Sequence, residues 1–121
     1  AAAACLPDGT TLQVTAPNAS GYVFGGLPAA WSDGAGDKNA PLTLCRGYTY
    51  TFAMNVPTHP FYFKTAQVTG TASAYDTGVT TNGLTTGNIK FVVPAAAPAA
   101  LFYQCSVHAA MKGTVTIVDA G

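Results

Sequence analysis

The sequence is poor in charge and contains no glutamate. Five basic residues balance five aspartates in a chain of 121 residues, and the basic residues do not cluster. Because concentrated positive charge is what holds a phosphate backbone, we expect no nucleic-acid partner. No apolar run reaches the roughly 18 residues that a membrane-spanning helix needs, so we also expect no membrane span in this chain.

The first residues lack the features of a signal peptide. The stretch "AAAACLPDG" has neither a basic n-region nor a long apolar segment. We therefore expect either a mature chain whose signal has been removed or a domain cut from a longer protein. With 121 residues and 49% hydrophobic content, residues 1–121 should form a single domain around one core.

Cysteine is also scarce, and the three cysteines are informative. Cys5 and Cys45 lie beside predicted strands, outside any C-x-x-C pair, and Cys105 lies near the end of the chain. An odd number of cysteines in an exported protein normally means one disulfide and one thiol kept for another purpose. We predict a Cys5–Cys45 disulfide, which indicates an oxidising compartment such as the periplasm or the cell exterior. Three reduced, buried cysteines in a cytosolic protein are the alternative.

The alternation of apolar and polar residues predicts an all-β fold. "YTYTFAMNV" (48–56) places a large apolar residue at every second position, and "IKFVV" (89–93) and "GTVTIV" (113–118) are rich in β-branched residues. Shorter candidate strands are "TLQVT" (11–15), "GYVF" (21–24), "PLTLC" (41–45), "FYFKT" (61–65) and "ALFYQC" (100–105). About eight strands separated by turn signals predict a two-sheet antiparallel β-sandwich. The polar stretch 66–88 should be a long excursion over the surface.

The segment "YQCSVHAAMKG" (103–113) concentrates the residues that can bind a metal. It places Cys105, His108 and Met111 at three-residue steps, after a strand in which Leu101 and Cys105 share one face. The only other histidine, His59, stands in "VPTHPFYF" at the start of another predicted strand. Two imidazoles, one thiolate and one weak thioether are the ligand set of an electron-transfer copper site.

Two other chemistries are open to these residues. Zinc could replace copper, but structural zinc sites normally use cysteine and histidine alone, and methionine is a poor zinc ligand. A nucleophilic Cys–His dyad would need a third group to orient the imidazole, and the nearest candidate, Gln104, is predicted on the opposite face of the strand. The conjunction of the spaced motif, the spare thiol and the upstream histidine favours a metal site.

These motifs resemble those of cupredoxins, the small blue-copper proteins with an eight-stranded Greek-key sandwich. The family pattern is an upstream histidine, a Cys…His…Met loop between the last two strands, a glycine and a β-branched final strand, and "LFYQCSVHAAMKGTVTIV" matches it. The short C-x-x-H-x-x-M spacing is similar to that of amicyanin. The resemblance covers about 41 to 119 and implies one Cu(I)/Cu(II) ion held by His59, Cys105, His108 and Met111.

The residues beside these ligands depart from the family pattern. Pro60 follows the first histidine where many cupredoxins have asparagine, and Val107 precedes the second histidine where proline is common. Together with Ser106, they should surround the ligands and tune the copper. In the family, the residue after the first histidine donates an N–H to the cysteine sulfur, and Pro60 has none to donate.

The resemblance implies a soluble one-electron carrier rather than an enzyme. Enzymatic relatives need further histidines for a second copper, and this chain has two in total. We expect a monomer whose redox partner protein docks near His108, against the small side chains of Ala109 and Ala110. The alternative is a module for copper storage, delivery or resistance, or a cupredoxin-like domain of a larger surface protein. A delivery protein should show an open Met- or His-rich surface, and this chain has only two methionines.

Overall fold

The computed structural model describes residues 5–18, 21–27 and 38–119. Within these residues the chain forms strands and no helix. The strands are β1 (Thr11–Asn18), β2 (Gly21–Gly25), β3 (Leu42–Cys45), β4 (Thr49–Asn55), β5 (Phe61–Lys64), β6 (Val79–Thr80), β7 (Thr86–Val92), β8 (Ala100–Cys105) and β9 (Lys112–Val118). The described part of the chain therefore contains no helix that is long and apolar enough to cross a membrane.

The strands form two sheets that face each other. One sheet has the order β2-β1-β4-β7-β6, and the other has the order β3-β9-β8-β5. This arrangement confirms the predicted all-β sandwich. The sheets are mixed rather than antiparallel throughout, because β1 pairs with β4 and β3 pairs with β9 in parallel. In both cases the chain visits the opposite sheet before it returns, so the second strand can lie alongside the first in the same direction.

All eight predicted strands are present, with ends shifted by a few residues. The stretch 66–88 is mostly exposed, as expected, but it also contains β6 and the first residues of β7. That part of β7 has no apolar pattern because it is held by its backbone, pairing residues 86–88 with residues 53–55 of β4. The apolar alternation begins only at the buried Ile89 and Phe91.

The core between the sheets is rich in aromatic side chains. The ring of Phe61 lies within 6.3 Å, centroid to centroid, of five other rings: Tyr22, Phe24, Phe52, Phe63 and Tyr103. Phe61 is also the direct neighbour of Cys105 across the β5–β8 pair. The aromatic core therefore extends to the end of the sandwich where the predicted ligands lie.

Glycine is required where β9 passes Tyr103. Gly113 lies opposite Tyr103 in the β8–β9 pair, and a β-carbon at that position would overlap the tyrosine ring. The ring lies across the glycine, and its hydroxyl donates a hydrogen bond of 2.6 Å to the carbonyl oxygen of Ala40. This close approach explains the glycine that follows the predicted ligands in the sequence.

The Cys5–Cys45 disulfide is present, which confirms the predicted pairing and leaves Cys105 as a free, buried thiol. The two Cα atoms are 5.8 Å apart. Next to the disulfide, the Leu6 N–H donates to the carbonyl oxygen of Thr43 at 2.9 Å, and the Tyr50 hydroxyl donates to that of Leu6 at 2.7 Å. The N-terminal segment is thus attached to the edge of the sheet that contains β3.

Candidate metal centre

Two loops meet at one end of the sandwich. The first, residues 56–60, connects β4 to β5, and the second, residues 105–111, connects β8 to β9 and is called the ligand loop below. Because Phe61 pairs with Cys105, the end of the first loop lies beside the start of the ligand loop. A hydrogen bond of 3.3 Å from the Ser106 N–H to the carbonyl oxygen of Pro60 joins them directly.

A tight turn places His59. The His59 N–H donates to the carbonyl oxygen of Val56 at 2.9 Å, and Thr58 between them has a φ of 66°. Proline at the second position and a positive φ at the third are the pattern of a type II turn. A β-branched residue rarely adopts this backbone conformation, which costs of order 1–3 kcal/mol, so the surrounding structure must hold the turn in place.

The ligand loop is closed by its own backbone. The Cys105 N–H donates to the carbonyl oxygen of Met111 at 2.8 Å, and the Met111 N–H donates to that of His108 at 3.2 Å. Both Cys105 and Met111 are fully buried, whereas His108 is partly exposed. The loop thus directs its sulfur-containing side chains inward and leaves part of one imidazole accessible from outside.

Three of the four predicted ligands come together. The Nδ1 atoms of His59 and His108 are 3.1 Å apart, and the Cys105 Sγ is 3.8 Å from Nδ1 of His108. One ligand atom from each of these three residues lies within 4.8 Å of the other two, so the group could hold one metal ion. Met111 is buried at the end of the same loop. Its role as the fourth ligand stays a prediction.

The cysteine sulfur accepts two hydrogen bonds from the backbone. The N–H groups of Val107 and His108 each lie 3.4 Å from the Cys105 Sγ. The absence of a proline at position 107 therefore provides the sulfur with a donor. Pro60, which has no N–H, instead uses its carbonyl oxygen to accept from Ser106 and from Tyr22.

Two residues that the sequence did not single out connect both loops to β2. The Tyr22 hydroxyl lies 2.8 Å from the carbonyl oxygen of His59 and 2.9 Å from that of Pro60. The Asn39 side chain accepts from the Tyr22 N–H at 3.0 Å and donates to the carbonyl oxygen of Ala110 at 3.2 Å. Burial, and to a lesser extent the nearby Cys105, raises the pKa of Tyr22, so its hydroxyl stays protonated and available as a donor.

Strand alternation predicts that Gln104 points to the face opposite Cys105 and so does not orient the imidazole of a Cys–His dyad. In the structure only 1% of it is exposed, and its amide nitrogen lies against four carbonyl oxygens of the ligand loop. These contacts are with backbone oxygens of the ligand loop, which a side chain as long as glutamine can reach by folding back over the end of its own strand. The sequence offers one sign of this role of Gln104, which is that an uncharged polar residue stands between two buried residues, Tyr103 and Cys105.

The exposed part of the ligand loop is apolar. Val107 is 60% exposed, and Ala109 and Ala110 are exposed on the other side of His108. These three exposed residues flank the partly exposed His108 in the sequence of the loop. The role of Ala109 and Ala110 as docking residues stays a prediction.

The sequence matches no protein-family model, and no curated protein matches it. Solved structures do match. A rusticyanin from Thiobacillus ferrooxidans superposes with a TM-score of 0.56 at 16% identity, covering 96% of this chain and 87% of that one. Another structure, described as that of the copper protein rusticyanin, gives 0.57 at 16% identity over 92% and 80%.

Auracyanin from the photosynthetic bacterium Roseiflexus castenholzii is also similar. It superposes with a TM-score of 0.52 at 18% identity, covering 93% of this chain and 99% of that one. Rusticyanin and auracyanin are both cupredoxins, so this chain has the cupredoxin fold, as its motifs predicted. The closer likeness of its ligand loop to that of amicyanin stays a prediction.

Proposed function

We propose that this chain binds one copper ion through His59, Cys105, His108 and Met111 and carries single electrons between partner proteins. The observation that supports this most strongly is the convergence of two imidazole nitrogens and one buried thiol within 4.8 Å at the end of a cupredoxin fold. The likeness to rusticyanin, which is described as a copper protein, points to the same metal.

The donor set fits copper. Thiolate and thioether sulfur suit Cu(I), imidazole nitrogen suits both oxidation states, and two histidines with one cysteine and a weak axial methionine are typical of electron-transfer copper. The group that could hold a metal contains no carboxylate, which hard cations such as calcium or magnesium would require. When bound, copper would supply one-electron chemistry by cycling between Cu(I) and Cu(II).

The protein's contribution is to hold the ligands in place. The turn before His59, the backbone closure of the ligand loop and the bond from Ser106 to Pro60 each limit how far a ligand can move. A site that changes little between oxidation states favours rapid electron transfer. The two N–H groups directed at the Cys105 sulfur stabilise its negative charge, as hydrogen bonds to an anion do.

We further propose that electrons enter and leave through His108. His108 is the partly exposed ligand in the ligand loop, and the exposed residues Val107, Ala109 and Ala110 flank it in sequence. The chain has no net formal charge, so contact with a partner protein would depend on shape and apolar area more than on electrostatic steering. On this proposal the protein works as a monomer and is not an enzyme, since its two histidines are both used by one site.

An exported location follows from the same proposal. The disulfide is between buried cysteines at the edge of the fold, and disulfides persist in oxidising compartments such as the periplasm or the cell exterior. Cys105 is the remaining thiol, and copper binding would protect it from oxidation.

Redox cycling of the copper-loaded protein tests whether it is a carrier. We expect an intense visible band that is lost on reduction and returns on reoxidation, together with a reversible one-electron wave in voltammetry. A mild copper chelator should remove the metal only slowly, because the sulfur ligands are buried. Rapid loss to the chelator with no reversible wave would contradict the carrier and support copper delivery.

The residue after His59 should tune the reduction potential. Pro60→Ala restores a backbone N–H, which we expect to donate to the Cys105 sulfur and so favour the more electron-rich Cu(I) state. If the bond discriminates between oxidation states by about 1 kcal/mol, the potential should rise by about 40 mV, as measured by voltammetry at one pH.

A matched variant should shift the potential in the opposite direction. Val107→Pro removes an N–H that lies 3.4 Å from the sulfur, so its potential should fall by a similar amount. An unchanged or lower potential in Pro60→Ala would show that this proline does not tune the copper and only stiffens the entry to β5. An unchanged potential in Val107→Pro would show that the sulfur contact has no electronic effect.

A further inference from the structure

We propose that Gln104 is a positioning residue that holds the ligand loop in its metal-binding shape before any metal arrives. This inference rests on the proposed copper function, since the loop carries three of the four proposed ligands. It assigns the residue a role through the backbone of the loop, without direct contact with the metal.

The amide nitrogen of Gln104 lies at the centre of the loop. Its Nε2 is 3.1 Å from the carbonyl oxygen of Cys105, 3.0 Å from that of His108, 3.5 Å from that of Ala109 and 3.3 Å from that of Met111. Four acceptors around one atom require that atom to be a donor, which fixes the orientation of the amide with its nitrogen toward the loop. One side chain therefore connects the first, middle and last residues of the loop.

The loop needs such a donor because its carbonyl groups point toward one another. Backbone bonds already use the carbonyl oxygens of His108 and Met111, but a carbonyl oxygen has two lone pairs and buried ones are rarely left without partners. Converging carbonyl dipoles also repel each other unless hydrogens lie between them. A buried, neutral amide places two N–H hydrogens among them without adding a charge beside the site.

The neutrality of the amide distinguishes glutamine from other residues at this position. Glutamate would place a carboxylate oxygen against four carbonyl oxygens, and methionine would fill a similar volume with no donor. Either change should leave β8 in place, because Gln104 pairs with Tyr62 and Lys112 through its backbone, and should loosen the loop. The predicted effect is therefore on loop order rather than on the fold.

Amide hydrogen exchange in the copper-free protein tests this role directly. In Gln104→Met we expect the backbone amides of Cys105, Val107, His108 and Met111 to exchange about tenfold faster than in the wild type, while the amides of β1 and β4 keep their protection. The four loop amides are informative because each donates a hydrogen bond within the loop or to the cysteine sulfur.

Asn82 provides the matched control. Its side chain also connects backbone segments, accepting from the Phe63 N–H and donating to the carbonyl oxygens of Phe63 and Tyr75 and to Asp76, and none of these hydrogen bonds involves the ligand loop. Asn82→Leu should speed exchange around those residues and leave the ligand loop unchanged. Loop exchange that is unchanged in Gln104→Met, or that is raised equally in Asn82→Leu, would overturn the proposal.

If Gln104→Met does not fold, the variant Gln104→Asn provides a second test. Gln104→Asn keeps the amide but withdraws it from the loop by one methylene, and the same loop amides should exchange faster. Unchanged loop exchange in this variant would equally overturn the proposal.

The copper-loaded proteins separate this inference from the proposed function. We expect the visible and paramagnetic resonance spectra of Cu(II) to change in Gln104→Met and to stay like wild type in Asn82→Leu. If the wild type binds no copper, the proposed function fails, and the exchange experiment still decides the role of Gln104. If the wild type has the copper band and Gln104→Met has normal loop exchange and an identical spectrum, only the present inference fails.

Discussion

Cys105→Ser should abolish the intense visible band of the copper-loaded protein. Among the proposed ligands only the cysteine thiolate donates strongly enough to Cu(II) to produce such a band, and a serine hydroxyl is a hard, weakly acidic group that cannot replace it. The two backbone N–H groups that lie 3.4 Å from the sulfur would face a neutral hydroxyl oxygen in place of the thiolate. We expect weak, pale Cu(II) binding by the two histidines at most, measured by absorption after addition of one equivalent of copper.

Ser106→Ala is the control for this experiment. Ser106 is the next residue in the loop, and its contacts with Pro60 and Gly70 use backbone atoms alone, so the variant should keep the band. An undiminished band in Cys105→Ser would refute the assignment of Cys105 as a ligand.

Removal of the disulfide should cause the largest loss of stability. The Cys5–Cys45 bond closes a loop with a sequence separation of 40 residues. On the chain-entropy model, a loop of this size is worth about 4 kcal/mol, a large share of the ~5–15 kcal/mol that stabilises a typical domain. We expect the double variant Cys5→Ala/Cys45→Ala to lose about that much free energy of unfolding in urea.

The urea experiment compares the protein that has the disulfide with the double variant that lacks it. Both should carry Cys105→Ser, so that the free thiol cannot form wrong disulfides during refolding. Thiol titration of the otherwise unmodified, copper-free protein under denaturing conditions should find one free thiol. Three free thiols, or a loss of stability below about 1 kcal/mol, would contradict the account, because the entropic contribution of the loop would then be absent.

The strands that could be predicted are those in which apolar and polar side chains alternate. The alternation in 48–56 identified β4, and the alternation in "ALFYQC" placed Cys105 on the buried face of β8. The start of β7 could not be found in this way, because Thr86, Gly87 and Asn88 are held by backbone pairing that leaves no apolar pattern. The parallel pairs were missed because they depend on which sheet the chain returns to, and no local sequence encodes that.

The candidate site, like the fold, has a part that could be predicted from the sequence and a part that could not. Its proposed ligands could be chosen from their residue types and spacing, since few side chains suit copper. The residues that hold the ligand loop and the loop 56–60 in place could not be predicted from the sequence. Tyr22 and Asn39 lie far from the ligands in sequence, and their contacts are with backbone carbonyl groups, which every residue possesses. The loop contacts of Gln104 were missed because strand alternation gives the direction in which a side chain leaves the backbone but not where a long one ends.

A copper titration of the copper-free protein tests the central claim most directly. Addition of Cu(II) should produce an intense visible band that grows linearly and stops at one equivalent, with a single Cu(II) species in paramagnetic resonance, and a reductant should remove both signals reversibly. A protein that binds copper with no intense band, or whose band requires more than one equivalent to saturate, would contradict a single copper held by Cys105 and the two histidines.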